Sequence, residues 1–460
     1  MTRELPLHYW SVARLRAAYA SGEASPAEAA RACLERIARL GSALGAFILT
    51  LGDEAIAQAV AAAAKPGSKP AAPLQGVPYS IKDNFDVAGL PTTCHSRSRA
   101  GVAARRDSDA HGALRRAGAV LLGKNSMHEL AAGGPSFDLP WPPARNPWDA
   151  SLHPGGSSSG SGVAVATGMA YFALGTDTGG SVRHPATACG IFGFKPSFGA
   201  MSMQGVVPLS RSLDHPGILA RASGDLAAVM AVAAVAQAER DRCAALARQG
   251  PARRLREFRV GVIDAFSVEL AADPDIAAAF EDMVARLGQA GCRVTRIRVD
   301  PLEHYAATAR PLIAAEASAY HGAWIERHPA YFGARTRARI AQGKNVSAET
   351  YAKLRDAQRR LAARLNEALA EVDAAMALSS LYFPCKIADE RAIDATYDKQ
   401  ARSPFNLAGM PAVAVPLGIG KARLPLGLQF AARTGQDAGL LEFCMALEAA
   451  GLSGFVAPPL

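Results

Sequence analysis

The sequence predicts an α/β fold in which a single large β-sheet, mixed or mostly parallel, is flanked by helices. Three observations support this prediction. Helical and strand patterns alternate along most of the chain, and helices of about 10 to 20 residues separate the strands. Half of the 460 residues are hydrophobic, which is enough for one extensive core. The loop at 61–73 is too short to separate domains, so we predict one domain over residues 1–460.

Capping and periodicity define the N-terminal elements. The stretch "SPAEAARACLERIARL" begins with a capping box, Ser25 with Glu28 three positions later, and continues as an amphipathic helix. The stretch "GVPYSIKDNFDVAG" alternates apolar residues with Ser80 and Lys82, which is the spacing of a strand, so these two side chains share a face. Residues 109–124 predict a helix followed by the short strand "AVLLG".

The rest of the chain repeats this alternation. A helix of small residues at about 161–168 precedes the strand "YFALGT", the turn "DTGGS" and a further short helix. The strands "FRVGVID" and "CRVTRIRV" enclose a helix from Asp273 to Ala290, and "PAVAVPLG" and "LPLGLQF" precede a last helix that ends near Ala450. Helical stretches within 301–370 are predicted to cover the active-site end of the sheet.

Composition excludes several classes of protein. The net charge is +9, but basic residues are mixed with acidic ones, as in "RDAQRRLAARLNEALAEVD", so we predict no nucleic-acid partner. No uncharged run reaches 18 apolar residues and the N-terminus lacks the apolar segment of a signal peptide, so we expect a cytoplasmic protein without membrane contact. The seven cysteines show no CxxC spacing, which predicts reduced thiols and no metal site. No cofactor is expected.

Two clusters rich in glycine and serine carry the chemistry: "PGGSSSGSG" at 154–162, and "GTDTGGS", which ends at Ser181. Such turns expose consecutive N–H groups that bind a phosphate or a developing oxyanion. Neither cluster has the GxxxxGK[ST] pattern, or GxGxxG followed by an acidic residue about 20 positions on. We therefore expect an oxyanion hole made by the N–H groups of Thr178, Gly179, Gly180 and Ser181, with the Ser181 hydroxyl as nucleophile.

A serine nucleophile must give its proton to a base. His184 is only three residues from Ser181, but no GxSxG elbow accompanies it, and a structural or pocket-lining role is the favoured interpretation of this histidine.

Several long motifs resemble the amidase signature family in the expected order. They are "SPAEAARACLERI", "GVPYSIKDNFDVAG", "GAVLLGKNSMHELAAGG", "PGGSSSGSGVAVATGMAYFALGTDTGGSVRHPATACGIFGFKP" and "SPFNLAGMPAVAVPLG" with "LPLGLQF". The resemblance implies the amidase signature fold, Ser181 as acyl nucleophile, Ser157 as bridging serine and Lys82 as base. It also implies a cis peptide bond between Gly156 and Ser157. Residues 240–400 resemble the family far less.

Lys82 has an alternative interpretation. Lysine is protonated in water, so it acts as a base only where burial or neighbouring dipoles favour the neutral amine. Lys82 could instead be a surface lysine paired with Asp83 or Asp86. Beside both serine clusters, the catalytic interpretation is favoured. Asp177 and Arg183 are predicted to brace the catalytic loop as an internal ion pair.

The loops "SMHELAAGGPSFDLPWPPARNPWD" and "SSLYFPCKIADERAI", with the helical cover, are expected to recognise the substrate. Met127, Gly133, Gly134 and Ser158 are the predicted substrate contacts, and Ser158 is also expected to make turn and cap hydrogen bonds. Aromatic residues in the divergent region either line an apolar pocket or belong to the core, and both interpretations stay open. They are Tyr320, Trp324, Tyr331, Phe332, Tyr382 and Phe383.

The resemblance implies an amidase that forms a covalent acyl-enzyme on a small-molecule substrate. Family members cleave carboxamides, anilides, carbamates and related compounds, and some supply ammonia to a tRNA-linked glutamate. We favour a stand-alone monomer or homodimer that cleaves secondary amides, anilides or carbamates (urethanes) with a hydrophobic group, with esterase or urethanase activity also open. The alternatives are a protein similar to the amidase component of an amidotransferase, which supplies ammonia to a partner complex, and a non-catalytic scaffold.

Overall fold

One sheet of eleven strands runs through the part of the chain that the computed structural model describes, residues 5–63, 72–398 and 401–460. Residues 64–71 of the loop predicted at 61–73 lie outside the described residues, as do residues 1–4 of the N-terminal segment. The strands are β1 (Phe47–Thr50), β2 (Pro78–Lys82), β3 (Val120–Asn125), β4 (Phe172–Asp177), β5 (Phe192–Lys195), β6 (His215–Ala220), β7 (Arg259–Ile263), β8 (Arg293–Ile297), β9 (Ala374–Leu378), β10 (Ala412–Ile419) and β11 (Pro425–Ala431).

Helices pack on both faces of this sheet and over one of its ends. They are α1 (Val12–Ser21), α2 (Pro26–Leu44), α3 (Gly52–Ala62), α4 (Asp109–Arg116), α5 (Ser159–Ala166), α6 (Arg183–Cys189), α7 (Ser223–Ala233), α8 (Gln237–Gln249), α9 (Pro274–Gln289), α10 (Leu302–Arg327), α11 (Ala334–Ala341), α12 (Ala348–Ala368), α13 (Glu390–Asp398), α14 (Ser403–Leu407) and α15 (Asp437–Ala449). The capping box predicted at Ser25 and Glu28 begins α2, as expected. No helix among the described residues is long and apolar enough to cross a membrane.

The strand order is β1-β3-β2-β4-β6-β5-β10-β11-β9-β7-β8. The pairings of β2 with β3 and β4, and of β7 with β8 and β9, are parallel, and the other pairings between these strands are antiparallel. The predicted mixed sheet is therefore confirmed, and the mostly parallel form is not what is seen. The hairpin of β10 and β11 shows one reason, because a short turn can join only antiparallel neighbours.

The parallel strands β2, β3 and β4 are buried on both faces. All residues of β2, β3 and β4 are buried, and α2 and α5 pack against β2. The polar residues of the alternating pattern that predicted β2 therefore lie beneath packed helices and not in solvent. Because β2, β3 and β4 run parallel, their carboxyl ends meet at one edge of the sheet, and Lys82 and Asp177 are the last residues of their strands there.

The three helices predicted in 301–370 are present as α10, α11 and α12. Leu302, Tyr305 and Leu312 of α10 pack with Leu361 and Leu365 of α12 over the end of the sheet that β9, β10 and β11 form. Further along α10, Ala317 joins a smaller apolar cluster with the segment that follows β3. The cover is thus anchored on both sides of the edge where β2, β3 and β4 end.

Candidate active site

The side chain of Lys82 lies fully buried at this edge of the sheet and faces two hydroxyls. Its Nζ is 2.8 Å from Ser157 Oγ and 2.8 Å from Thr176 Oγ1. No carboxylate among the described residues forms an ion pair with it. Burial lowers the pKa of Lys82 to about 7, although the charges of Asp214 and Asp177 act to raise it. At neutral pH a large fraction of this amine is therefore uncharged and able to accept a proton.

The alternative pairing of Lys82 with Asp83 or Asp86 is not found. Asp83 Oδ1 lies 2.7 Å from the Nζ of Lys124 on the neighbouring strand, and both of these side chains are buried. Asp83 Oδ2 accepts a hydrogen bond from the backbone N–H of Thr93. Asp83, the sequence neighbour of Lys82, thus forms its ion pair with a different lysine, Lys124.

The segment before α5 brings Ser157 to Lys82. The peptide bond between Gly156 and Ser157 is cis, as the family resemblance implied. A Cβ at Gly156 would lie 2.1 Å from the His128 ring, so only glycine fits here. The Ser158 hydroxyl donates to Thr176 O at 3.1 Å and accepts from Thr176 N at 3.3 Å, which fixes the segment on β4. Ser158 is the N-cap residue of α5, but its side chain binds the strand and does not cap the helix.

The turn from Thr178 to Ser181 is held by Asp177. Arg183 Nη2 lies 3.0 Å from Asp177 Oδ1, and both side chains are fully buried, which confirms the predicted internal ion pair. Burial acts to raise the pKa of Asp177, but the adjacent Arg183 guanidinium holds it well below its usual range. The Asp177 carboxylate accepts the N–H of Gly180 at 2.7 Å and of Val182 at 3.1 Å.

This use of Gly180 corrects the predicted oxyanion hole. The Gly180 N–H already donates to a carboxylate, so it is not free to bind an oxyanion. The N–H groups of Thr178, Gly179 and Ser181 carry no hydrogen bond within the described parts of the chain. These three remain as donors for a developing negative charge.

A cavity of about 290 Å³ opens over this turn. Ser157, Ser181, Thr178 and Gly179 form its floor. The cover forms the opposite wall, which is apolar apart from two arginines and a glutamine: Arg310, Ile313, Ala314, Ala317, Arg339, Ile340 and Gln342. The spacing of Arg310, Ile313 and Ala317 places them on one face of α10, a helical pattern that could have identified this wall from the sequence.

Of the four predicted substrate contacts, only Gly133 lines this cavity. Met127 is buried in the apolar cluster under the cover, because its segment turns inward after β3. Gly134 packs against Arg335, and the Ser158 hydroxyl is engaged with β4. Met127, Gly134 and Ser158 therefore lie behind the wall of the cavity and not on its surface.

The six aromatic residues singled out from the sequence in the divergent region do not line this cavity. Tyr320, Trp324 and Tyr331 are exposed on the outside of the cover, and Phe332 is buried beneath it. Tyr382 and Phe383 line a separate, much smaller cavity of about 30 Å³ with His153 and His184. The pocket interpretation of these six residues is wrong for this site, since Arg310, Ile313, Ala314 and Ala317 are the residues of α10 that line the cavity.

The histidines near the site are buried, and this burial lowers their pKa values. His184 Nδ1 accepts the backbone N–H of Gly156 at 3.4 Å, and no hydrogen bond joins this ring to Ser181 among the described residues. Burial holds the pKa of His184 well below its usual value. His128 and Tyr397 also line the cavity, although neither was singled out from the sequence. His128 lies within the motif "GAVLLGKNSMHELAAGG", so its position could have been found, whereas Tyr397 lies outside the quoted motifs. No group of three or more potential metal ligands is found in the described residues.

Comparison with known proteins gives concordant matches. A family profile described as Amidase matches residues 28–441. The A component of the Glutamyl-tRNA(Gln) amidotransferase of Symbiobacterium thermophilum is 35% identical over 473 residues, with 95% of this chain and 96% of the relative covered. The structure of the peptide amidase from Stenotrophomonas maltophilia superposes with a TM-score of 0.83 at 27% identity, covering 98% of this chain and 99% of that one. That of 6-aminohexanoate cyclic dimer hydrolase gives 0.83 at 26% identity, covering 97% and 98%.

Proposed function

Because this chain belongs to the amidase family, we propose that it hydrolyses a carboxamide C–N bond through a covalent acyl-enzyme on Ser181. The observation that carries the proposal is the contact of a buried lysine, with a pKa of about 7, with the hydroxyl of Ser157 on the floor of the same cavity as Ser181. A scaffold would have no need of this arrangement.

The proposed proton route runs through Ser157. Ser181 Oγ attacks the amide carbonyl carbon while its proton passes to Ser157 Oγ, and the Ser157 proton passes to neutral Lys82. The carbonyl oxygen becomes an oxyanion that accepts the N–H groups of Thr178, Gly179 and Ser181. The proton then returns from Lys82 through Ser157 to the leaving nitrogen, and the C–N bond breaks. Water attacks the acyl ester by the same route, which releases the acid and restores Ser181.

The relatives favour a primary carboxamide as substrate over the secondary amide or carbamate first expected. A protein named as an amidotransferase component transfers an amide nitrogen within an assembly, and its sequence aligns with 95% of this chain. Arg310 and Arg339 line the cavity, so a carboxylate on the substrate fits beside the apolar wall. Glutamine joins a primary carboxamide to a carboxylate, and we propose it as the amide donor, with ammonia passed to a partner protein.

A second candidate is a stand-alone hydrolase of amides with an apolar group. It is favoured by the aliphatic lining that Ile313, Ala317 and Ile340 contribute to the cavity. The similarity to the solved structures of a peptide amidase and of 6-aminohexanoate cyclic dimer hydrolase also supports this candidate.

The test compares ammonia release from glutamine with cleavage of a 4-nitroanilide and a nitrophenyl carbamate. Ser181→Ala should lower kcat at least about a thousandfold on whichever substrate is cleaved, because it removes the hydroxyl that is proposed to form the acyl-enzyme. Its thermal stability should change little, since the Ser181 side chain is half-buried at the cavity wall. More than about a tenth of the wild-type rate in this variant would exclude Ser181 as nucleophile.

The same panel separates the two candidates. Ammonia release from glutamine, enhanced when partner proteins are added, supports the amidotransferase-type function. Cleavage of the anilide or carbamate by the isolated chain, with glutamine inert, supports the stand-alone hydrolase and excludes the first.

A further inference from the structure

A buried carboxylate, Asp214, holds the first residue of the turn Thr178–Ser181. Asp214 Oδ1 accepts the hydroxyl of Thr178 at 2.6 Å, and its Oδ2 accepts the backbone N–H groups of Leu209 at 2.8 Å and Ser210 at 2.9 Å. The side chain is only 4% exposed, and its contacts are hydrogen bonds rather than an ion pair. Asp214 thus ties the first residue of the turn to the loop at 208–214.

A second carboxylate ties this loop to the cover. Glu316 Oε2 accepts the Ser210 hydroxyl at 2.7 Å and the Ser212 N–H at 3.0 Å, and its Oε1 accepts the Tyr351 hydroxyl at 2.7 Å. Glu316 lies on α10, one residue before Ala317, which lines the cavity. A continuous set of hydrogen bonds, from Glu316 through Ser210 and Asp214 to Thr178, therefore connects α10 in the cavity wall with the turn that carries Ser181.

The charge of Asp214 also acts on Lys82, the proposed base. Asp214 is the strongest of the groups that act to raise the pKa of Lys82, ahead of Asp177 and Cys94. Burial raises the pKa of Asp214 to about 6, while the Thr178 hydroxyl, the two N–H groups and the Lys82 charge act to lower it. On its outer side Asp214 lines an open groove together with Asp86, Arg99, Arg106 and Arg211.

We propose that Asp214 and Glu316 are positioning residues, which couple the helical wall of the substrate cavity to the turn Thr178–Ser181 through Ser210 and the Thr178 hydroxyl. Substrate that settles against α10 then orders the donors of the oxyanion hole. This proposal rests on the proposed catalytic role of Ser181.

The test uses a probe that needs no knowledge of the substrate. A fluorophosphonate forms an O–P bond with an activated serine and loses fluoride, and its rate of reaction reports both the nucleophile and the oxyanion hole. Labelling of wild-type protein at a residue other than Ser181 would refute the proposed function itself. Labelling at Ser181 leaves the coupling to be tested with variants.

The variants remove single contacts of the path. Thr178→Val deletes only the hydroxyl that Asp214 holds, and should slow labelling of Ser181 about tenfold, the equivalent of about one hydrogen bond. Glu316→Gln weakens the other end of the path and should slow labelling about threefold. The double variant should be slower than Thr178→Val by less than threefold, because both changes break the same path. Rates that multiply independently in the double variant, or single variants with wild-type rates, would refute the coupling.

A matched control is available in Asp225, another carboxylate that is buried, with a pKa raised by burial to about 7. It accepts the backbone N–H of Val12 and lines neither the cavity nor the groove. Asp225→Asn should lower stability yet leave the labelling rate of Ser181 unchanged. Slower labelling in this variant would show that loss of any buried carboxylate suffices, and would refute the specific role of Asp214.

A pH profile separates positioning from mere support of the fold. Asp214→Asn removes a negative charge that favours protonated Lys82, so the pKa of Lys82 should fall and the rise of the labelling rate with pH should move to lower pH by at least about half a unit. A lower rate with an unmoved profile would contradict the electrostatic connection. Should Asp214→Asn fail to fold, the Thr178→Val and Glu316→Gln cycle still decides the proposal.

Discussion

Two fully buried lysines on neighbouring strands have opposite surroundings. Lys82 ends β2, and its partners among the described residues are the hydroxyls of Ser157 and Thr176, whereas Lys124 on β3 contacts the carboxylate of Asp83. Lys124 also donates to a carbonyl and to a further hydroxyl in the segment that follows β2. The two amines are one register position apart in the same sheet.

The difference shows what converts a buried lysine into a base. A buried ammonium group is costly unless a carboxylate contacts it, and among the described residues Asp83 makes such a contact with Lys124, whereas none does so with Lys82. At Lys82 the nearest negative charges are not in contact, so burial prevails and lowers the pKa to about 7. The placement of Asp83, which faces away from its sequence neighbour, therefore separates a structural lysine from the proposed catalytic one.

The largest expected effect comes from Lys82→Met, which keeps the length of the side chain and removes the amine. We expect kcat to fall about 10²- to 10⁴-fold, the usual contribution of a general base, with little change in thermal stability because no carboxylate loses its partner. Steady-state kinetics and thermal unfolding would measure both. A variant that keeps more than about a tenth of kcat would show that Lys82 is not the base.

Lys124→Met should have the opposite signature. It leaves the buried Asp83 carboxylate without its partner, so the free energy of unfolding should fall by about 3–5 kcal/mol, while kcat of the folded protein changes far less than in Lys82→Met. Denaturant unfolding gives the stability. The double variant with Asp83→Asn should recover part of the loss. A Lys124→Met variant as stable as the wild type would contradict the contrast between the two lysines.

The smallest effect is the pH dependence of the unmodified enzyme. Since only neutral Lys82 accepts a proton, kcat/KM should rise about tenfold per pH unit below about 7 and level off above it. Lys195 is a control, because burial lowers its pKa to about 7 as well, yet it contacts the carbonyls of Pro196 and Met410 and does not line the cavity. If Lys195→Met shifts the pH profile, the titration belongs to Lys195 and not to Lys82.

The sequence was sufficient for the parts that local pattern determines. Strand alternation located β2 and Lys82, the capping box located α2, and the glycine-serine motifs located the turn before Ser181. It also predicted the ion pair of Asp177 with Arg183, whose partners are only six residues apart. These features depend on neighbours in the chain, so their chemistry can be inferred from spacing.

The rest depends on pairing between distant segments. The cavity wall comes from α10 and α11, more than 120 residues after Ser181, and its small aliphatic residues have no distinctive motif. The six aromatic residues singled out from the sequence are exposed on the outside of the cover, buried beneath it, or lining another cavity. The hydrogen bond from the Gly180 N–H to Asp177 depends on the exact geometry of the turn. The hydrogen bonds of Asp214 and Glu316 connect three segments that are distant in the sequence, so no local pattern predicts them.

The floor and the opposite wall of the cavity come from separate lengths of chain, with the proposed reacting groups in residues 82–181 and the helical wall in 310–342. On the proposed function, the segment that shapes the acyl site can therefore be exchanged separately from the reacting groups, provided that Glu316 is kept. Transplanting 302–342 from a relative of different preference, with Glu316 retained, should exchange the acceptable acyl groups and leave the nucleophile and its proton carrier in place, which makes this segment the place to begin redesign.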